Sequence, residues 1–157
     1  MSLVVDVAVE NTRAPLSRER IRAVAISVLR AERVRDALVS ITLVSRSHIA
    51  RLNRTHLGHA GPTDVISFAL RPLPGASPRG PVVGDIYIAP DVARANALRL
   101  GGSAREEMAR LVIHGTLHML GHDHPEDDAR TTSRMWRRQE QLLVRAIGSG
   151  KVSGRTP

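Results

Sequence analysis

The chain has 157 residues, 42% hydrophobic and 24% charged, enough for one globular domain with its own core and too little for two. It contains no cysteine, which excludes disulfides, thiolate nucleophiles and cysteine-held zinc or iron–sulfur centres. The net charge is +8, and 22 arginines stand against one lysine, Lys151.

The first apolar stretch holds Asp6 and follows no basic segment, so it reads as a strand over Leu3–Val9 and not as a signal peptide. No apolar run approaches the roughly 20 residues that span a bilayer, so the expected compartment is the cytoplasm. Pro15 and Ser17 open a helix over Arg18–Val34, with Ile21, Val24, Ala25, Val28 and Leu29 on one face. Ala37–Val44 is a second strand, and Ser45 or Ser47 caps a short helix running to about His56. Turn residues Gly58 to Pro62 precede a third strand, Asp64–Leu70. Four prolines and two glycines between Arg71 and Pro81 predict an exposed loop, and Asp85–Ala89 is a fourth strand.

Pro90-Asp91 starts a helix that Gly101-Gly102 ends. Ser103 and Glu106 form an S-x-x-E capping box, and Gly121 suits a C-terminal cap. Between them, Leu111, Val112, Ile113, Leu117, Met119 and Leu120 surround the axis, so this helix is buried through the core. Asp127 and Asp128 suit the start of a last helix, which carries Met135, Trp136, Leu142, Leu143 and Ile147. The expected architecture is a single α+β domain over residues 1–147, with about four strands in a mixed sheet, about five helices, and a polar tail at 148–157.

Four of the seven histidines lie in His114-Gly115-Thr116-Leu117-His118-Met119-Leu120-Gly121-His122-Asp123-His124. His114 and His118 are four apart, so their Cβ atoms sit about 5–6 Å apart on one helix face. That spacing suits two nitrogens meeting one metal ion at about 2.0–2.1 Å. Gly121 turns the chain so that His124 can return as the third ligand, with His122 its competitor. Three histidines leave a coordination position open, as catalytic zinc sites do; nickel also fits this donor set. Asp123 is a candidate acceptor for a ligating imidazole or a turn cap. The spacing matches the metzincin pattern, but Gly115 stands where that pattern has its general base Glu, which argues against a peptidase.

The run H-G-T-L-H-M-L-G-H-D-H resembles the H-G-x-L-H-L-x-G-Y-D-H signature of the bacterial YbeY family. Thr63-Asp64-Val65-Ile66-Ser67-Phe68 is similar to that family's T-D-V-L-S-F strand, and Gly84-Asp85-Ile86-Tyr87-Ile88 to its G-D-I-x-I strand. The resemblance runs from about Leu3 to Ile147. It implies a single-domain, metal-dependent endoribonuclease acting in late ribosomal RNA processing, including small-subunit maturation, and in ribosome quality control. It makes His114, His118 and His124 the zinc ligands. It also implies ribosomal RNA or a ribosomal particle as partner, and a ribosomal protein or a GTPase assembly factor beside it. Two departures stand out. His56-Leu57 replaces the family's Tyr-Arg, which removes a candidate phosphate contact, and His122 replaces its Tyr.

Hydrolysis of a phosphodiester by such a site would use a zinc that lowers the pKa of its water toward ~7 and polarises a phosphoryl oxygen. Arg54 is the candidate replacement for the missing arginine, and Thr63 and Ser67 are further candidates for substrate contact. Asp85 and Asp123 are the nearest carboxylates for proton transfer. The arginine excess fits an acidic polymer, RNA or DNA, although a composition rich in Ala, Gly, Pro and Arg explains it equally well. One Trp, one Tyr and one Phe offer little for base stacking. The alternative reading is a non-catalytic ribosome-assembly factor whose metal is mainly structural.

Overall fold

The computed structural model describes residues 2–61, 63–70, 80–124 and 133–148. Its elements are β1 (Leu3–Val9), α1 (Arg18–Ala31), β2 (Ala37–Leu43), α2 (Arg46–Leu57), β3 (Val65–Leu70), β4 (Val82–Ile88), α3 (Pro90–Leu100), α4 (Ala104–Met119) and α5 (Arg134–Gly148). The four strands form one mixed sheet in the order β1-β2-β4-β3. β1 and β4 flank β2 in parallel, and β3 runs antiparallel to β4 along the far edge. This is the α+β domain the pattern predicts. Among the described residues, no helix is long and apolar enough to cross a membrane.

Strand alternation divides the packing between two faces. Val5, Val7, Val39, Ile41, Leu43, Ile86 and Ile88 join the main core with α1, α4 and α5. Ile66 belongs to a smaller cluster with Val44, Ile49, Ala89 and Val92, against which Phe68 and Tyr87 pack. α4 carries an almost unbroken buried run from Leu111 to Leu117, so it is the central helix its all-round apolar pattern demands.

Three boundaries differ from expectation by more than one residue. α1 ends at Ala31 because Arg33 adopts a left-handed φ of 61°, which breaks the helical path before Val34. β4 starts at Val82, three residues early, because Val82–Gly84 pair with Ala37–Val39 of β2. At α5 the Ser133 hydroxyl accepts the Trp136 N–H (3.2 Å), capping the helix; Asp127 and Asp128 lie outside the described residues. So do the turn residue Pro62, residues 71–79 of the expected loop and 149–157 of the expected tail.

Ion pairs fix α5 on both sides. The Arg110 Nε of α4 donates to Glu140 Oε1 (3.0 Å), and its Nη1 to Glu107 (2.6 Å). Burial disfavours the Arg110 charge, but Glu107 and Glu140 outweigh it and hold the guanidinium pKa above its ordinary value. Arg138 of α5 donates through Nε to Glu32 (2.9 Å) and through Nη2 to the Ala31 carbonyl (3.3 Å), at the end of α1.

Candidate metal centre

α4 begins where the Ser103 hydroxyl accepts the Glu106 N–H (3.3 Å), half of the expected capping box. The Glu106 carboxylate turns instead to Arg110. The other end closes as sequence spacing requires. Gly121 takes a left-handed φ of 100°, its N–H donates to the His118 carbonyl (2.9 Å), and the His122 N–H donates to that of Leu117 (3.0 Å). This pair of bonds is a Schellman motif, for which glycine lacks the usual steric penalty. The reversal brings His124 back over the face that carries His114 and His118.

The three imidazoles form a compact cluster, with ring centroids 4.7, 5.0 and 4.8 Å apart. One ligand nitrogen from each lies within 4.8 Å of the others, and the Nε2 atoms of His114 and His124 are 3.3 Å apart. Two nitrogens bound tetrahedrally at 2.0–2.1 Å would be separated by roughly 3.3–3.4 Å, so this pair is already spaced for an ion. His114 is buried, while His118 and His124 are partly exposed, which gives the cluster an inner wall and an open side. His122 turns away from the cluster, to within 3.5 Å of Glu32.

The His114 Nδ1 lies 2.5 Å from Oε1 of Gln139, a fully buried residue of α5. With that oxygen accepting, Nδ1 carries the proton and Nε2 presents its lone pair. The donor set therefore suits zinc or a similar divalent ion, with an open fourth position.

The cluster forms one wall of a cavity of about 540 Å³. Thr63 and Ser67 line it, together with Asn53, His59 and Asp64, which sequence spacing did not single out for the site. Ser67 donates its hydroxyl proton to the Gly115 carbonyl (2.8 Å), tying β3 to α4 at the cavity floor. Asn53 Nδ2 donates to the Gly61 carbonyl (2.9 Å), holding the turn that leads into Thr63.

Three other expected contacts are not brought here. Arg54 is exposed on α2 and does not line the cavity; Leu57 and His59 do. Asp85 lies on the opposite sheet face, where its Oδ1 accepts the Ser40 hydroxyl (2.8 Å). Its neighbours Gly84 and Ile86 are the β4 residues facing α4, so strand alternation directs Asp85 away. Asp123 is exposed, and its carboxylate accepts the His124 N–H (2.8 Å), the local turn-cap role. Among the described residues, Asp64 is the one carboxylate lining the cavity.

Gly115 has a packing reason. A Cβ there would lie 2.9 Å from the Ile86 Cγ2 and 3.0 Å from the Val65 Cγ2. The position faces the sheet, so a metzincin-type glutamate could not be accommodated without moving α4.

Comparison with known proteins agrees with this geometry. The family model for endoribonuclease YbeY matches residues 6–146. The endoribonuclease YbeY of Desulfitobacterium hafniense is 38% identical over 144 residues, covering 88% of this chain and 90% of that protein. That of Thermobifida fusca is 39% identical over 145 residues, covering 89% and 92%. A solution structure of a Thermotoga maritima protein shares the fold, with a TM-score of 0.57, 23% identity and 97% coverage of both chains. The histidine run, its cavity and this likeness along nearly the whole chain lead to one assignment: the chain belongs to the endoribonuclease YbeY family.

Proposed function

We propose that this chain is a zinc-dependent endoribonuclease that cuts single-stranded ribosomal RNA late in small-subunit maturation and in ribosome quality control. The convergence of His114, His118 and His124 on one face of an open polar cavity carries the reading. A ribosomal particle would present the RNA, with a ribosomal protein or a GTPase assembly factor beside it. The cytoplasm is the compartment where such a substrate is found.

A zinc ion bound there would supply Lewis-acid stabilisation of phosphoryl charge and acidify water at the open position. His114, His118 and His124 would hold it. Asp64, which lines the cavity, takes the proton-transfer role in preference to Asp85, whose Oδ1 accepts the Ser40 hydroxyl, and Asp123, whose Oδ1 accepts the His124 N–H. The Thr63 hydroxyl would donate to a phosphate oxygen, whereas the Ser67 proton is already engaged by Gly115. Arg54 would act from outside the cavity, on a neighbouring phosphate.

The test is cleavage of a defined ribosomal RNA fragment by metal-replete protein beside His118→Ala prepared identically. His118 is partly exposed, so the variant should fold, bind RNA and lose about a hundredfold or more of activity. Equal cleavage by both proteins overturns the site. The absence of an arginine among the described residues lining the cavity favours a second reading, a non-catalytic assembly factor with a mainly structural metal. RNA bound but uncut by the wild type would support it.

A further inference from the structure

We infer that Gln139 is a positioning residue of the metal centre, holding His114 in the tautomer that points Nε2 at the ion. The inference rests on the metal-centre reading above. Gln139 lies 25 residues beyond its partner, on another helix, and stands outside the histidine motif.

The buried face of α5 comprises Met135, Gln139, Leu142, Leu143 and Ala146. Gln139 is the polar member and is 1% exposed. An amide buried without a partner costs about 1–3 kcal/mol, so its presence among apolar side chains calls for a specific acceptor or donor. The His114 ring meets it at Nδ1. A neutral imidazole has one N–H, so the amide orientation decides which ring nitrogen is left as a ligand. With Oε1 toward the ring, Nδ1 keeps the proton and Nε2 presents its lone pair to the cluster. With the amide reversed, the proton moves to Nε2 and faces His124 Nε2, 3.3 Å away, blocking coordination.

The helix around Gln139 is held so that this orientation is stable. Arg138 grips Glu32 and Ala31 of α1, Gln139 meets His114 of α4, and Glu140 grips Arg110 of α4. Successive helical residues point about 100° apart, so these three neighbours tie α5 to α1 on one side and to α4 on the other. A neutral acceptor also avoids placing a second charge in the core, where an imperfectly paired carboxylate would be costly.

The test compares Gln139→Met, which keeps the length and loses the acceptor, with Gln139→Glu, which keeps it. Zinc affinity is read by competition with a chromophoric chelator, folding by thermal melting. The ring tautomer is read from ¹⁵N imidazole spectra of metal-free protein at about pH 8.5, above the ordinary imidazole pKa of about 6.5. Wild type should show His114 as the Nδ1–H tautomer. Gln139→Met should bind zinc about 10–100-fold more weakly, and Gln139→Glu within about threefold of wild type. Unchanged affinity in a folded Gln139→Met, or an Nε2–H tautomer in the wild type, overturns the inference. Should Gln139→Met not fold, the wild-type tautomer and the Gln139→Glu affinity decide it. Should the wild type bind no zinc, the metal reading fails separately, and the tautomer still shows whether Gln139 holds the ring as argued.

Discussion

Leu57 occupies the cavity wall at the position where the resemblance expects an arginine, and it is 48% exposed. Leu57→Arg should therefore fit without rearranging the core, changing stability by no more than about 0.5 kcal/mol. It should add one phosphate contact, steepening the dependence of log binding constant on log salt by about 0.7 for single-stranded RNA. Equal salt slopes for the two proteins, by fluorescence anisotropy, would mean that this wall does not face RNA. The three histidines were legible in sequence because their geometry is local: one helical turn, then a glycine reversal. Asp85 was misleading because proximity in a motif carries no direction, and β4 aims it at Ser40. Asp64 shares a cavity with His114, and Gln139 meets its ring, through tertiary packing that local spacing does not encode.

At the scale of elements, the site depends on how closely α4 approaches β3 and β4. Gly115 allows that approach on the helix side. Gly84 allows it on the strand side, where a Cβ would overlap Met119 and come within 2.9 Å of the Phe68 carbonyl. Alanine ordinarily favours an exposed helix interior over glycine by about 1 kcal/mol. Against a contact at the Cγ2 of branched Ile86, overpacking of about 1–3 kcal/mol reverses the sign. Gly115→Ala should therefore lose about 1–2 kcal/mol by urea denaturation, and a stabilised variant would show that α4 can move. Apolar periodicity marked the strands, α1 and the all-round buried α4, while α2 and α3 were legible from the residues that start and end them. Other ends were less legible. The early start of β4 comes from pairing with β2, and the stop of α1 from one left-handed residue, Arg33, neither of which is encoded in apolar spacing.

For the whole molecule, the main core is built from aliphatic side chains and methionines of the sheet, α1, α4 and α5; His114 is buried beside it, while His118 and His124 are partly exposed. Removing metal with a chelator should leave a folded protein. With zinc at about 100 times its dissociation constant, linkage contributes roughly 2.7 kcal/mol, so chelation should lower the melting temperature by roughly 5–10 °C. Loss of cooperative structure at room temperature on chelation would instead mark the ion as structural. The charge of +8 attracts a polyanion without naming it, which is why composition alone left RNA and DNA open. The three consecutive grips on α5 carry a last consequence. His114 and His118 belong to a single helix and share its formation, but the proton that prepares His114 is held by an element contributed from the far end of the described chain. Metal affinity is thereby a gauge of whether the C-terminal helix is seated, and reciprocity makes the converse true: an ion in the site tightens that helix by the same free energy.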